Sequence, residues 1–310
     1  MSNKINKILL TGGNGMLGSN ILEHPYAKKY NFVAPHRDEL DLHNYSATLK
    51  YVRQVKPEFI IHVAGKVGGI QANIAAPVDF LVSNIDMGRN IVLAAREIGV
   101  PRVMNVASSC MYPRDAVSPL SEALILKGEL EPTNEGYALA KIVVTRLCQY
   151  INKEDPKFSY KTIIPCNLYG RYDKFSPKNS HLIPAIIYKM HAAKIENKSI
   201  VEIWGDGMAR REFMYARDAA DAILNLLTYF DGLPDIMNIG LGHDYSINEY
   251  YEMAAKVMGW KGEFIHDLTK PAGMKQKLVC IKNQQKMGWN PTTTLQEGIA
   301  KTYAYYLESM

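Results

Sequence analysis

Cysteine is scarce in this sequence, with four in 310 residues: Cys110, Cys148, Cys166 and Cys280. No two stand as CxxC, and no His/Cys cluster has zinc-ligand spacing, so no metal site is expected. A reduced, cytoplasmic setting is the simple reading of that pattern. Long apolar runs are also missing. Nothing approaches the roughly 20 apolar residues that span a bilayer, so no membrane partner is expected. Residues 1–6 are polar and carry no secretory apolar segment. Neither sign of charge dominates, with Lys+Arg 36 against Asp+Glu 31 for a net +5. The basic residues are scattered and form no stripe or tail, which argues against nucleic acid and suits a small polyanion. Internal repeats and low-complexity segments are absent. The 47% hydrophobic and 22% charged fractions are those of an ordered globular chain.

The first half alternates short apolar runs with amphipathic stretches. Strands are expected at residues 7–11, 32–34, 59–63, 102–107 and 161–166, and helices at 15–24, 45–55, 77–98 and 134–152. Strands separated by helices predict a Rossmann-type, doubly wound parallel sheet covered on both faces. Beyond residue 166 the loops lengthen, with helical patterns at 182–194, 217–229, 247–258 and 295–307. The expected division is a dinucleotide-binding domain over residues 1–166, with a return near 215–240. Residues 167–310 mostly form a smaller substrate-binding lobe.

The first strand runs into Thr11-Gly-Gly-Asn-Gly-Met-Leu-Gly18, a GxxGxxG pattern opening a helix. Gly12 permits the tight turn, Gly15 lets backbone N–H groups approach a pyrophosphate, and Gly18 permits close helix packing. Asn14 and Met16 complete the loop, and the helix N-terminus faces the phosphates. Arg37 follows the second strand, where an Arg accommodates a 2′-phosphate, so NADPH is favoured over NAD. Asp41, Leu42 and Ala64 are candidates for the adenine and ribose.

Tyr137-Ala-Leu-Ala-Lys141 is YxxxK within a helical stretch, which places both side chains on one face. A cation there is expected to lower the phenol's pKa and ready it for proton exchange with a carbonyl oxygen. Ser108, at the end of the preceding strand, can hydrogen-bond the same oxygen. Glycine loop, strand-end Ser and YxxxK in this order point to hydride transfer at a ketone.

Several longer stretches carry a resemblance. They are Arg37-Asp-Glu-Leu-Asp-Leu42, Lys66-Val-Gly-Gly-Ile70, Ser108-Ser-Cys-Met-Tyr-Pro113, Leu130-Glu-Pro-Thr-Asn-Glu135, Asn179-Ser-His-Leu-Ile-Pro184 and Arg211-Glu-Phe213. The chain resembles the extended short-chain dehydrogenases/reductases and, within them, the GDP-L-fucose synthase family. The resemblance implies NADPH-dependent reduction of carbon 4 of a GDP-4-keto sugar, preceded by inversion at carbons 3 and 5. It implies Cys110 and His181 as the base and acid of the inversion, Tyr137 as the acid of the reduction, and Lys141 on the nicotinamide ribose. His181 is also implied beside the cofactor. Lys66, Asn167, Lys189, Trp204, Arg211 and Lys277 are implied for the nucleotide sugar. It further implies a homodimer and a surface-glycan precursor as product.

The chain departs from the family pattern at Asn14, at Tyr188-Lys189, at residues 215–218 and at residues 274–280, where Cys280 replaces an Asp. These departures gather on the substrate side. They leave open a reductase of a GDP-4-keto heptose that epimerises poorly, and a nucleotide-sugar epimerase or dehydratase with a retained cofactor.

Overall fold

The computed structural model describes residues 7–176, 180–270 and 274–310. Asn179 of the NSHLIP stretch and residues 1–6 lie outside them.

In the first half, β1 (Lys7–Thr11), β2 (Asn31–Val33), β3 (Phe59–His62), β4 (Arg102–Val106) and β5 (Ser159–Pro165) alternate with helices. These are α1 (Met16–Glu23), α2 (Tyr45–Val55), α3 (Ile70–Ala75), α4 (Pro77–Ile98) and α5 (Glu135–Glu154). Local chemistry sets their ends. The Asn44 side chain accepts the Ala47 N–H to open α2. Pro77 starts α4, and Gly99 at φ 81° closes it. Helix α3 has too few residues to show a period, and the sequence reading has no helix there.

The second half supplies β6 (Asn167–Tyr169), α6 (Leu182–Ile195), β7 (Ile200–Trp204), β8 (Arg210–Arg211), β9 (Phe213–Tyr215), α7 (Ala216–Thr228) and β10 (Ile236–Ile239). It continues through β11 (Tyr245–Ser246), α8 (Ile247–Met258), β12 (Glu263–Asp267), β13 (Gln276–Lys277), α9 (Lys282–Lys286) and α10 (Leu295–Glu308).

The central sheet has the order β10-β5-β4-β3-β1-β2, with every pair parallel. Its outermost strand beside β5 is β10, so the chain returns to the sheet after β6 to β9 have formed. Alternate residues feed two cores, as a pleated strand requires. Ile8, Leu10, Phe59 and Ile61 pack with Ile21 of α1 and Ile223 of α7. Leu9, Ile60 and Val103 pack with Val52, Ile91 and Val144 of α2, α4 and α5. A third core, including Ile187, Tyr250 and Ile299, joins α6, α8 and α10 in the lobe. From β1 the chain turns to β2 on one side and then to β3 on the other. The carboxyl end of β1 is therefore the switch point where such sheets open a crevice.

Candidate active site

One cavity of about 1920 Å³ runs from the glycine loop at the end of β1 to Trp204 at the end of β7. Its wall includes Gly12, Asn14, Gly15, Met16, Gly18, Arg37, Asp41, Leu42 and Ala64, then Lys66, Ser108, Cys110, Tyr137 and Lys141. Asn167, His181, Lys189, Trp204, Arg211 and Lys277 complete it. The fold thus gathers on one surface every residue singled out in the sequence.

The glycine end is built by close approach. Gly12 has φ +80°, and a Cβ there would lie 2.6 Å from the Ala64 backbone nitrogen. A Cβ on Gly18 would lie 2.2 Å from the Gly12 carbonyl oxygen, so Gly18 packs against the loop itself and less against the sheet. No acidic residue occupies the first turn of α1, and Met16, Leu17 and Gly18 line the cavity end, where a helix leaves its first N–H groups without helical partners. Asp38 pairs with His36 at 2.9 Å and does not engage Arg37. A backbone loop open to phosphate oxygens, and a guanidinium after β2 whose charge bears on nearby Asp41 without an ion pair among the described residues, fit a 2′-phosphorylated dinucleotide.

At the middle of the cavity, Ser108 opens a short 3-10 turn, its Oγ accepting the Cys110 N–H at 3.3 Å. Phe80 meets the Tyr137 ring edge-on, with centroids 6.4 Å apart. Burial holds the Tyr137 phenol well above its ordinary pKa, as does the nearby Cys110, while a hydrogen bond to Ser108 works the other way. This corrects the expectation that Lys141 lowers it. The Lys141 Nζ lies 5.7 Å from the Tyr137 ring centroid and donates to the Val106 carbonyl at 3.1 Å. Burial pushes Lys141 itself down to about 8. The site therefore keeps Tyr137 as a protonated donor.

Cys110 Sγ receives the Asn134 Nδ2 at 3.3 Å and faces the Lys277 Nζ at 3.6 Å. His181 sits at the N-terminal end of α6 without capping it. Burial lowers its pKa, helped by the Lys277 and Lys174 charges, so the neutral ring is favoured. Parallel pairing of β8 and β13 sets Lys277 opposite Arg211, which places two cations side by side. Arg211 Nη1 donates to the carbonyls of Arg210 and Met274 at 2.8 and 2.5 Å. Lys66 pairs with Asp79 at 2.7 Å, and Lys189 donates to the Glu202 carbonyl at 2.5 Å. Trp204 is 47% exposed and lines the cavity, so it is not part of the lobe core.

A family model described as the NAD dependent epimerase/dehydratase family matches residues 8–240. The chain belongs to this family. Over 301 residues it is 54% identical to GDP-L-colitose synthase of Yersinia pseudotuberculosis, covering 97% of this chain and 98% of that one. It is 47% identical to GDP-L-fucose synthase of Azorhizobium caulinodans, covering 97% and 96%. Among solved structures, a GDP-mannoheptose C4 reductase from Campylobacter jejuni with NADP bound superposes with a TM-score of 0.88 at 30% identity, covering 99% and 100%.

Within this epimerase/dehydratase fold, three polar residues at or behind the site wall were not anticipated. Asn84 accepts the Lys66 N–H and donates to the Lys66 carbonyl, so it fixes the loop after β3. Glu212 is fully buried and accepts N–H groups of Leu241, Gly242 and Val279 at 2.6, 3.0 and 2.9 Å. Burial pushes its carboxyl up to about 7. Alternation along the chain from Arg211 was the available signal that Glu212 points away from the cavity. Asn134 lay inside LEPTNE, and only its contact with Cys110 sets it apart.

Proposed function

We propose that this protein reduces carbon 4 of a GDP-linked 4-keto sugar with NADPH, after inverting carbons 3 and 5. The observation that carries the reading is the meeting of Ser108, Tyr137, Lys141, Cys110 and His181 on one cavity wall, between a glycine loop and an Arg–Lys pair. Relatives named GDP-L-colitose synthase and GDP-L-fucose synthase, matched over nearly the whole chain, support the nucleotide and the reaction class. The NADP in the solved heptose reductase supports the cofactor.

Gly12, Asn14, Gly15, Met16 and Gly18 hold the pyrophosphate in this reading, and Arg37 holds the 2′-phosphate. Asp41, Leu42 and Ala64 take the adenosine. The cofactor supplies hydride to carbon 4. Ser108 and Tyr137 hydrogen-bond the carbon 4 oxygen, and Tyr137 gives it a proton as the alkoxide forms. Lys141 holds the nicotinamide ribose, and His181 also lines the cofactor. For inversion, the ketone acidifies the neighbouring C–H bonds; Cys110 removes a proton from one face and His181 returns one to the other. Arg211 and Lys277 hold the diphosphate, and Lys66, Asn167, Lys189 and Trp204 hold the rest of the nucleotide sugar.

Residues 1–166 with 215–240 form the cofactor-binding unit in this reading, and the remainder of 167–310 forms the nucleotide-sugar lobe. The protein works in the cytoplasm as a homodimer. Support for a second copy comes from Val78 and Val82 on α4 and Leu139, Val143 and Tyr150 on α5, exposed at helical spacing on two helices of one layer. Among the described residues no helix is long and apolar enough to cross a membrane.

Incubation with GDP-4-keto-6-deoxymannose and NADPH in heavy water tests the reading. NADPH oxidation with deuterium at carbons 3 and 5 is expected. Oxidation without deuterium would remove the inversion. No oxidation would favour a second reading, reduction of a GDP-4-keto heptose, which the solved heptose reductase supports.

A further inference from the structure

Asn134 stands at the entrance of α5, three residues before Tyr137. An Asn at this position usually accepts an N–H from the first helical turn. Here the side chain makes no capping hydrogen bond. The preceding turn is satisfied by Glu131, which takes the Thr133 N–H at 3.4 Å and the Thr133 hydroxyl at 3.2 Å. Asn134 instead points Nδ2 at Cys110 Sγ, 3.3 Å away. Its Oδ1 is buried and has no hydrogen-bond partner among the described residues. Asn134 also lines the cavity, beside Thr133 and Tyr137. The side chain thus forgoes the helix cap and turns its donor toward sulfur.

We propose that Asn134 is the positioning residue of the inversion step: its Nδ2 fixes Cys110 Sγ against the sugar. The inference rests on Cys110 as the base and adds a residue to which that reading gives no role. In the step itself a C–H bond beside the ketone breaks and its proton passes to sulfur. The electron pair moves onto the carbon 4 oxygen, which Ser108 and Tyr137 hold. Only a thiolate can accept that proton, and an N–H aimed at it stabilises the charge and sets its direction.

The diagnostic variant is Asn134→Asp, which keeps the size and the Oδ1 acceptor but replaces the donor at sulfur with a second carboxylate oxygen. Substrate is incubated in heavy water without NADPH, and deuterium in the recovered GDP-4-keto-6-deoxymannose is read by mass spectrometry. Exchange is expected to fall by about 100-fold, the lower end of what a positioned base supplies. NADPH binding, read by fluorescence, is expected to be unchanged. Iodoacetamide modification of Cys110, mapped by peptide mass, is expected to slow as well, a readout that needs no substrate. Wild-type exchange or a wild-type modification rate in Asn134→Asp would overturn the assignment. Asn134→Ser, neutral and smaller, serves the same comparison if the Asp variant fails to bind NADPH. Cys110→Ser separates the two levels. Retained exchange there sinks the base itself, whereas exchange lost there but kept in Asn134→Asp sinks Asn134 alone.

Discussion

Tyr137, Lys141 and Glu212 are three buried groups whose titration the fold has shifted, each in a direction its surroundings explain. Tyr137 is held up by burial, so it enters the reaction protonated. Tyr137→Phe removes that proton, and NADPH oxidation is expected to drop by about 100-fold or more while NADPH binding persists. Single-turnover absorbance at the nicotinamide band checks both. Lys141 is held down to about 8, so it loses its charge as pH rises through that value while the phenol stays protonated. The alkaline fall in kcat/KM should therefore report Lys141, and Lys141→Arg, which keeps the charge, should move that fall to higher pH. A pH–rate profile with an unmoved alkaline limb would exclude Lys141 as its source.

Glu212 concerns stability more than chemistry. Its carboxyl is raised to about 7 in the fold. The stabilisation from its protonated form is fully present below the unfolded value of about 4.5 and is lost as pH rises through 7. Glu212→Gln lacks this loss. The melting-temperature difference, variant minus wild type, should therefore rise between pH 4.5 and 7 and level off above. A difference that stays flat with pH would refute the shift.

Among the elements, the turn from β1 into α1 has the least tolerance. A methyl group on Gly18 would sit 2.2 Å from the Gly12 carbonyl oxygen and 2.7 Å from the Gly13 Cα, both backbone atoms that cannot swing aside. Gly18→Ala is expected to cost about 1–3 kcal/mol of stability through overpacking. It should also weaken NADPH binding, because the loop must open to admit the methyl. Calorimetry with and without NADPH measures both effects. The β8–β13 pair is a second critical element. It aligns Arg211 with Lys277, and Glu212 anchors it through the Val279 N–H, two residues beyond Lys277.

At the scale of the whole molecule, β10 ties the second half of the chain to the first. Asn238 on β10 accepts the Tyr112 hydroxyl at 2.5 Å and donates to the carbonyls of Leu120 and Cys280. The segment that carries Lys277 is thus fastened to the sheet edge beside the SSCMYP loop that carries Cys110. The apolar surface on α4 and α5 belongs to the same scale. Val82 is 48% exposed, so Val82→Glu should leave the fold intact and, if a second copy covers this face, halve the mass in sedimentation. An unchanged mass in the variant would place the partner elsewhere.

Features whose geometry is local were legible in the chain. GxxGxxG works through one strand, one turn and the first turn of one helix. YxxxK works through a single helical turn. Strand alternation and turn residues set the parallel sheet within a residue or two, with β2 at residues 31–33 against an expected 32–34. Motif stretches also marked the candidate residues, most of them at strand ends or near helix starts, although Lys189 lies within α6. Contacts between partners far along the chain appear only once it has folded. Lys277 meets Cys110 across 167 positions, and β10 pairs with β5 after the lobe has intervened. Glu212 finds its N–H donors in two distant loops. The direction of the Tyr137 shift was misjudged from sequence for the same reason. A Lys four residues away is visible in the chain, but the burial that outweighs it is a sum over neighbours that only folding brings together.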